Sequence, residues 1–136
     1  MQKLVGSTDP SVCPFPVSPA LLELLNTTLA RYPSSDSLIL NYRDPGYSAT
    51  EGGFHPVEIH VEDGAIQYIT DFAYVWQGDC TELAKELDFN FTQGDFEQMG
   101  VIHPAIAGQE LFTLWQANFL AYVDMEVFTL TVELLD

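Results

Sequence analysis

The side chains with the most obvious chemistry lie close together in the chain: His55, Glu58, His60, Glu62 and Asp71. Imidazole nitrogens and carboxylate oxygens are the donors that zinc and related ions take. The same pair, an imidazole near a carboxylate, can move protons near neutral pH. Glu58, His60 and Glu62 alternate with Val57, Ile59 and Val61, so a strand would put the three polar groups on one side. Alternate strand positions are about 6.5–7 Å apart, so three in a row do not converge on one ion. A solvated sheet face satisfies the same pattern, and no metal or cofactor is expected.

Three further groups could act. Arg43, flanked by Tyr42, Asp44 and Tyr47, is a scarce cation that could hold a carboxylate or phosphate by two parallel hydrogen bonds. The competing role is an internal ion pair that pins the loop after it. His103 could serve as an acid or base, or simply stand before Pro104 where a helix starts. The aromatic set of Tyr68, Phe72, Tyr74, Trp76, Phe112, Trp115, Phe119 and Tyr122 could line a ligand pocket, although aromatics at strand and helix spacing usually form core. No nucleophile elbow and no His-Glu-x-x-His run is present, so no catalytic residue is assigned. The ligand-binding candidates are Arg43, Tyr47, His55, Glu58, His60, Asp71, Trp76 and Trp115.

These residues need a scaffold, and the pattern supplies one. Asp63-Gly64 forms a two-residue hairpin turn between strands 57–62 and about 66–76, glycine tolerating positive φ. With Glu62 opposite Ala65, His60 faces Gln67 and Glu58 faces Ile69. Ile66, Tyr68, Thr70 and Phe72 then share a face with Val57, Ile59 and Val61, while Glu58, His60, Glu62, Gln67 and Asp71 share the other.

Ahead of the hairpin, Ser18-Pro19 caps and opens a helix whose apolar stripe is Leu21, Leu24, Leu25, Thr28 and Tyr32, ended by Pro33. A strand follows over 36–42. Asp44-Pro45-Gly46 then turns the chain into a loop of about ten residues that reaches His55-Pro56. Residues 79–86 suggest a short helical turn, 87–91 a strand and 93–100 a loop. The longest helix is expected over 105–125, with Leu111, Leu114, Trp115, Phe119 and Tyr122 as its stripe. A last strand over 127–134 alternates Phe128, Leu130, Val132 and Leu134 with polar residues. The sum is an α+β fold: a single antiparallel-dominated sheet of about five strands with two main helices packed on it. Residues 1–17, with three prolines, read as an extended arm, and 18–136 as one domain.

The 136 residues are 47% hydrophobic, which argues for a folded core. No apolar run is long enough to span a membrane, and the first residues lack the apolar stretch of a signal peptide, so a cytoplasmic setting is expected. Cys13 and Cys80 are isolated and read as thiols. Twenty acids against four basic residues give a formal charge of −16, which disfavours direct contact with nucleic-acid phosphates. That charge suits a basic partner protein, mimicry of a nucleic acid being one form of this; solubility or salt adaptation is the plainer explanation of the same charge.

The stretches LNYRDPGYSATEGGFHPVEIHVEDG, QYITDFAYVW and GQELFTLWQANFLAYVDMEVFTLTV resemble the bacterial family called domain of unknown function 2787, over residues 18–134. The resemblance implies a small α+β protein of marine and enteric gammaproteobacteria, often of accessory gene content, for which an anti-host or anti-defence role is thinkable. It implies no catalytic residues. Two functions therefore stand: a non-enzymatic acidic protein that binds a basic partner, or a ligand-binding or enzymatic domain with an aromatic pocket gated by the 44–55 loop. The final strand could pair with a second copy, so monomer and homodimer are both compatible with the pattern.

Overall fold

The computed structural model describes residues 13–136. Its elements are α1 (Pro19–Leu29), β1 (Ser37–Arg43), β2 (Val57–Glu62), β3 (Ala65–Gln77), β4 (Cys80–Asn90), β5 (Asp95–Gln98), β6 (Val101–Pro104), α2 (Gln109–Asp124) and β7 (Thr129–Leu134). A 3-10 turn, Ala105–Gly108, leads into α2. The strands form one sheet in the order β6-β5-β4-β3-β2-β1-β7, and every neighbouring pair is antiparallel.

Both helices bury one stripe on the same sheet face. Ser18 caps α1, its hydroxyl oxygen accepting from the Leu21 amide at 3.2 Å. Leu21, Leu25 and Leu29 of α1, with Phe112, Trp115 and Phe119 of α2, meet Leu38, Leu40, Ile59, Ile69 and Phe89 of the sheet. Burying each of the larger side chains contributes about 1.5–3 kcal/mol. The stripe of α2 runs through Phe112, Trp115, Gln116 and Phe119, and Leu114, which the sequence pattern places in it, is exposed.

The expected arm covers residues 1–17, of which 1–12 lie outside the described residues. The rest of it is built into the core, with Phe15 and Val17 fully buried. Two glutamines of α2 hold it there: Gln109 donates to the Pro14 carbonyl at 3.1 Å and Gln116 to the Pro16 carbonyl at 2.8 Å. Gln116 also accepts from the Ser18 amide at 3.0 Å, so one side chain joins arm, α1 and α2.

Three expectations need correction. The sheet has seven strands, not about five. Residues 79–86 are not a helical turn but the first half of β4, paired along its length with β3. Their Leu, Ala, Lys and Glu are good helix formers, and long-range pairing overrides that preference. The 93–100 stretch is not a loop: β5 and β6 form a short hairpin there, turning at Met99-Gly100 where both residues have positive φ.

The register of the β2–β3 hairpin also differs, with consequences for the site. Glu62 faces Ala65 and Val61 faces Ile66, but His60 then faces Tyr68, leaving Gln67 as an extra residue on β3. The bulge reverses every side chain beyond it. Ile69 and Asp71 therefore join Ile59 and Val57 on the helix face, and Tyr68 and Thr70 turn to the helix-free face. This arrangement buries an isoleucine completely and leaves the Tyr68 hydroxyl a polar partner, which the unbulged register would not.

Candidate functional site

A second bulge completes what the first begins. Asp71 faces Leu87 and Phe72 faces Lys85, so Glu86 is the extra residue on β4. The first bulge aims Asp71 at the helices and the second frees Glu86 from the ladder. Between them lies His55, at the end of the 44–55 loop. Its Nδ1 is 2.9 Å from Asp71 Oδ1 and 2.8 Å from Glu86 Oε2. The other oxygen of Asp71 accepts from the Trp115 indole N–H at 2.9 Å, so α2 fixes the carboxylate's orientation. The hydrogen bond that His55 Nδ1–H donates to Asp71 holds the His55 pKa above the ordinary imidazole value; partial burial opposes this, and the charges of Asp71 and Glu86 add to it.

A cavity of about 310 Å³ opens beside this cluster. Its walls are Phe54, Trp115, Phe119, Tyr122 and Phe128, and its polar groups are His55, Asp71 and Asn118. Few polar groups converging in a mostly aromatic hollow is the usual form of a small-ligand site. Phe54 packs on Tyr122 with ring centroids 4.7 Å apart, joining loop to helix.

The loop that forms one wall is tied shut on itself. Asp44 accepts from the Gly46 amide at 2.9 Å and from the Phe54 amide at 3.0 Å. Ser48 and Gly52 exchange backbone hydrogen bonds of 3.2 and 3.0 Å. Gly53 has φ +132°, and a Cβ there would sit 2.8 Å from Asp44 Oδ2, so the knot requires glycine at this position. Tyr47 fastens the loop to the sheet: its hydroxyl accepts from the Tyr74 amide at 3.0 Å, just past the end of β2, and its ring lies 5.4 Å from that of His55.

Of the sequence-selected residues, His55, Asp71 and Trp115 come together, with Tyr47 beside them. Glu58 and His60 are on the opposite sheet face. Tyr68 donates to Glu58 Oε2 at 2.6 Å, and His60 Nε2 lies 3.2 Å from Ser37 Oγ. Trp76 is 68% exposed on the β3–β4 ribbon where it extends beyond β2, and it lines no part of the cavity. Arg43 is exposed at the end of β1 and makes no ion pair among the described residues; Asp44 does the pinning expected of it. His103 stacks on Phe96 at 5.0 Å. The sequence reading missed Glu86, because a bulge residue breaks the alternation that reveals a face. It also missed Phe54, Asn118 and Phe128 as cavity walls.

The helix-free face is different in character. Register puts Glu58, Asp88 and Glu97 in one cross-strand row, with Glu133 and Asp95 in the next. Burial, then the Glu58 hydrogen bond and the charges of Glu58, Asp88 and Glu133, push the Tyr68 hydroxyl pKa up. Lys85 reaches Asp88 at 3.4 Å.

A family model described as "Protein of unknown function (DUF2787)" matches residues 19–133. The chain belongs to this family. Two solved structures from Vibrio cholerae are similar along their whole lengths. A hypothetical protein of the VSP-II pathogenicity island is 35% identical with a TM-score of 0.81, covering 98% of this chain and 99% of its own. A conserved hypothetical protein of pathogenicity island VPI-2 is 40% identical with a TM-score of 0.78, covering 89% and 97%; it is described as sharing structural homology with the human P32 protein. No curated protein matches. Among the described residues no helix is long and apolar enough to cross a membrane.

Proposed function

We propose that this DUF2787 member is a non-enzymatic binding protein that meets a basic partner protein through its helix-free sheet face. The observation that carries this reading is one cross-strand row in which Asp88 faces Glu97 and Glu58 follows beyond Thr70, beside Glu133, in a chain of formal charge −16. Like charges placed opposite each other cost stability, and a matching row of Lys or Arg would relieve that cost. Carboxylates repeated across a sheet face also give nucleic-acid mimicry a physical form. The island setting of both Vibrio neighbours fits an accessory role for this chain as well.

The test is affinity capture from host lysate at low salt with two baits: the natural chain and a Glu58→Gln/Glu97→Gln/Glu133→Gln variant. The reading predicts a basic protein that only the natural bait retains and that a salt step releases, since exposed charges are screened over about 8–10 Å. Equal retention by both baits would refute it.

A second reading has its own support. The cavity beside His55 and Asp71, walled in part by Phe54 of the 44–55 loop, suits a small ligand with an aromatic or aliphatic body. Thermal-shift screening of metabolites checks it, with Phe119→Ala expected to abolish any shift found.

A further inference from the structure

We propose that His55, Asp71 and Glu86 form a binding site for one divalent transition ion of the zinc type, at the polar end of the cavity. This stands apart from the partner-binding reading and would survive its failure. The three donor atoms, one nitrogen and two oxygens, lie within 4.8 Å of one another. They come from three separate segments, the end of the 44–55 loop, β3 and β4, and two bulges are needed to bring them together. One imidazole and two carboxylates is a donor set that zinc and its neighbours in the first transition row accept.

The internal bonding of the cluster leaves one donor underserved. Both carboxylates approach the same atom, Nδ1, at 2.9 and 2.8 Å. That nitrogen carries at most one hydrogen, so it cannot give each oxygen a full hydrogen bond. A protonated His55 neutralises one of the two negative charges. Among the described residues no lysine or arginine completes the balance: Lys85, the neighbour of Glu86, turns to Asp88 instead. A divalent ion would balance both carboxylates and take the Nδ1 lone pair. Tetrahedral zinc needs its ligand atoms about 3.3–3.5 Å apart, so the nitrogen–oxygen separations would open by about half an ångström. The Trp115 indole bonded to Asp71 Oδ2 is the kind of outer partner that orients a metal-bound carboxylate. His55 and Asp71 also line the cavity, so an open coordination position there would face a ligand. The strand triplet Glu58, His60 and Glu62, where the sequence raises a metal and spacing argues against one, lacks this convergence.

The test uses the full chain, stripped with a chelator and titrated with zinc by calorimetry, with melting followed in parallel. The expected result is one saturable site per chain and a zinc-dependent rise in melting temperature. Glu86→Gln, isosteric at a half-buried position, should melt like the natural chain without zinc and lose both signals. His55→Ala should lose the site, His60→Ala should keep it, and Trp115→Phe should weaken it about tenfold or more. Absence of a saturable site in the natural chain would overturn the proposal. So would an unchanged site in a folded Glu86→Gln or His55→Ala chain. Several weak sites erased by calcium would mean general attraction to an acidic surface, which also overturns it.

Discussion

On the helix-free face, Asp88 and Glu97 face each other across β4 and β5, and Glu58 stands in the same row beyond Thr70 of β3. On the helix face, Asp71 and Glu86 meet at a single imidazole nitrogen beneath an indole N–H. The same strand, β4, supplies a carboxylate to each arrangement, and the residues are two positions apart. What separates them is backbone geometry. A regular ladder spaces its side chains about 4.8 Å apart across the sheet and keeps like charges from converging. A bulge suspends that rule and lets two acids approach one point. Spread charge makes a field that salt weakens; converged charge makes a site.

Removing the cause of convergence should have the largest effect. Deleting Glu86 leaves Lys85 opposite Phe72 and Leu87 opposite Asp71 on their present faces, so the β3–β4 ladder closes without the bulge and the core is kept. The proposed zinc site should then be lost outright in calorimetry, while the transition in urea stays cooperative. Trp115→Ala should cost about 3–5 kcal/mol by the same measure, since it empties a cavity wall and leaves Asp71 Oδ2 without its donor.

Alkaline titration separates the two faces through their tyrosines. Burial on the helix face pushes Tyr42 up from 10.0 to about 12. The folded state thus holds that proton more tightly than the unfolded chain. Its contribution to stability is complete below pH 10 and is lost as pH rises through about 12. Tyr68 is raised by burial and also by three nearby carboxylates. Added salt should lower the apparent ionisation point of Tyr68 and leave that of Tyr42 in place, as read from phenolate absorbance in Tyr42→Phe and Tyr68→Phe chains. The smallest effect is expected on the acidic row itself. Glu97→Lys places a cation opposite Asp88 and should raise stability by about 0.2–1 kcal/mol, a gain that shrinks in high salt.

Much of this architecture is legible in the sequence. Ser18-Pro19 marks the start of α1, Asp63-Gly64 the hairpin, and the alternation of Leu130, Val132 and Leu134 the last strand. Each is a local signal set by backbone φ or by period. The bulges are not local in this sense. Nothing in Ile66 to Asp71 alone states that Gln67 will be skipped; the choice is made by Ile69 filling the core against the helices. His55, Asp71 and Trp115 can be picked by residue type, yet period alone puts Asp71 on the wrong face because its face depends on that skipped residue. Glu86 was hidden for the same reason, inside a segment whose composition favours helix. The short strands β5 and β6 escaped because four residues between glycines carry too little pattern to distinguish them from a loop.

The most direct test of the contrast between the faces is a backbone amide NMR spectrum recorded as zinc is added to the stripped chain. The account predicts stoichiometric shifts confined to residues around His55, Asp71, Glu86 and Trp115, with the amides of Glu58, Glu97 and Glu133 unmoved. Shifts that spread over the acidic row and never saturate, with the His55 region unchanged, would contradict it.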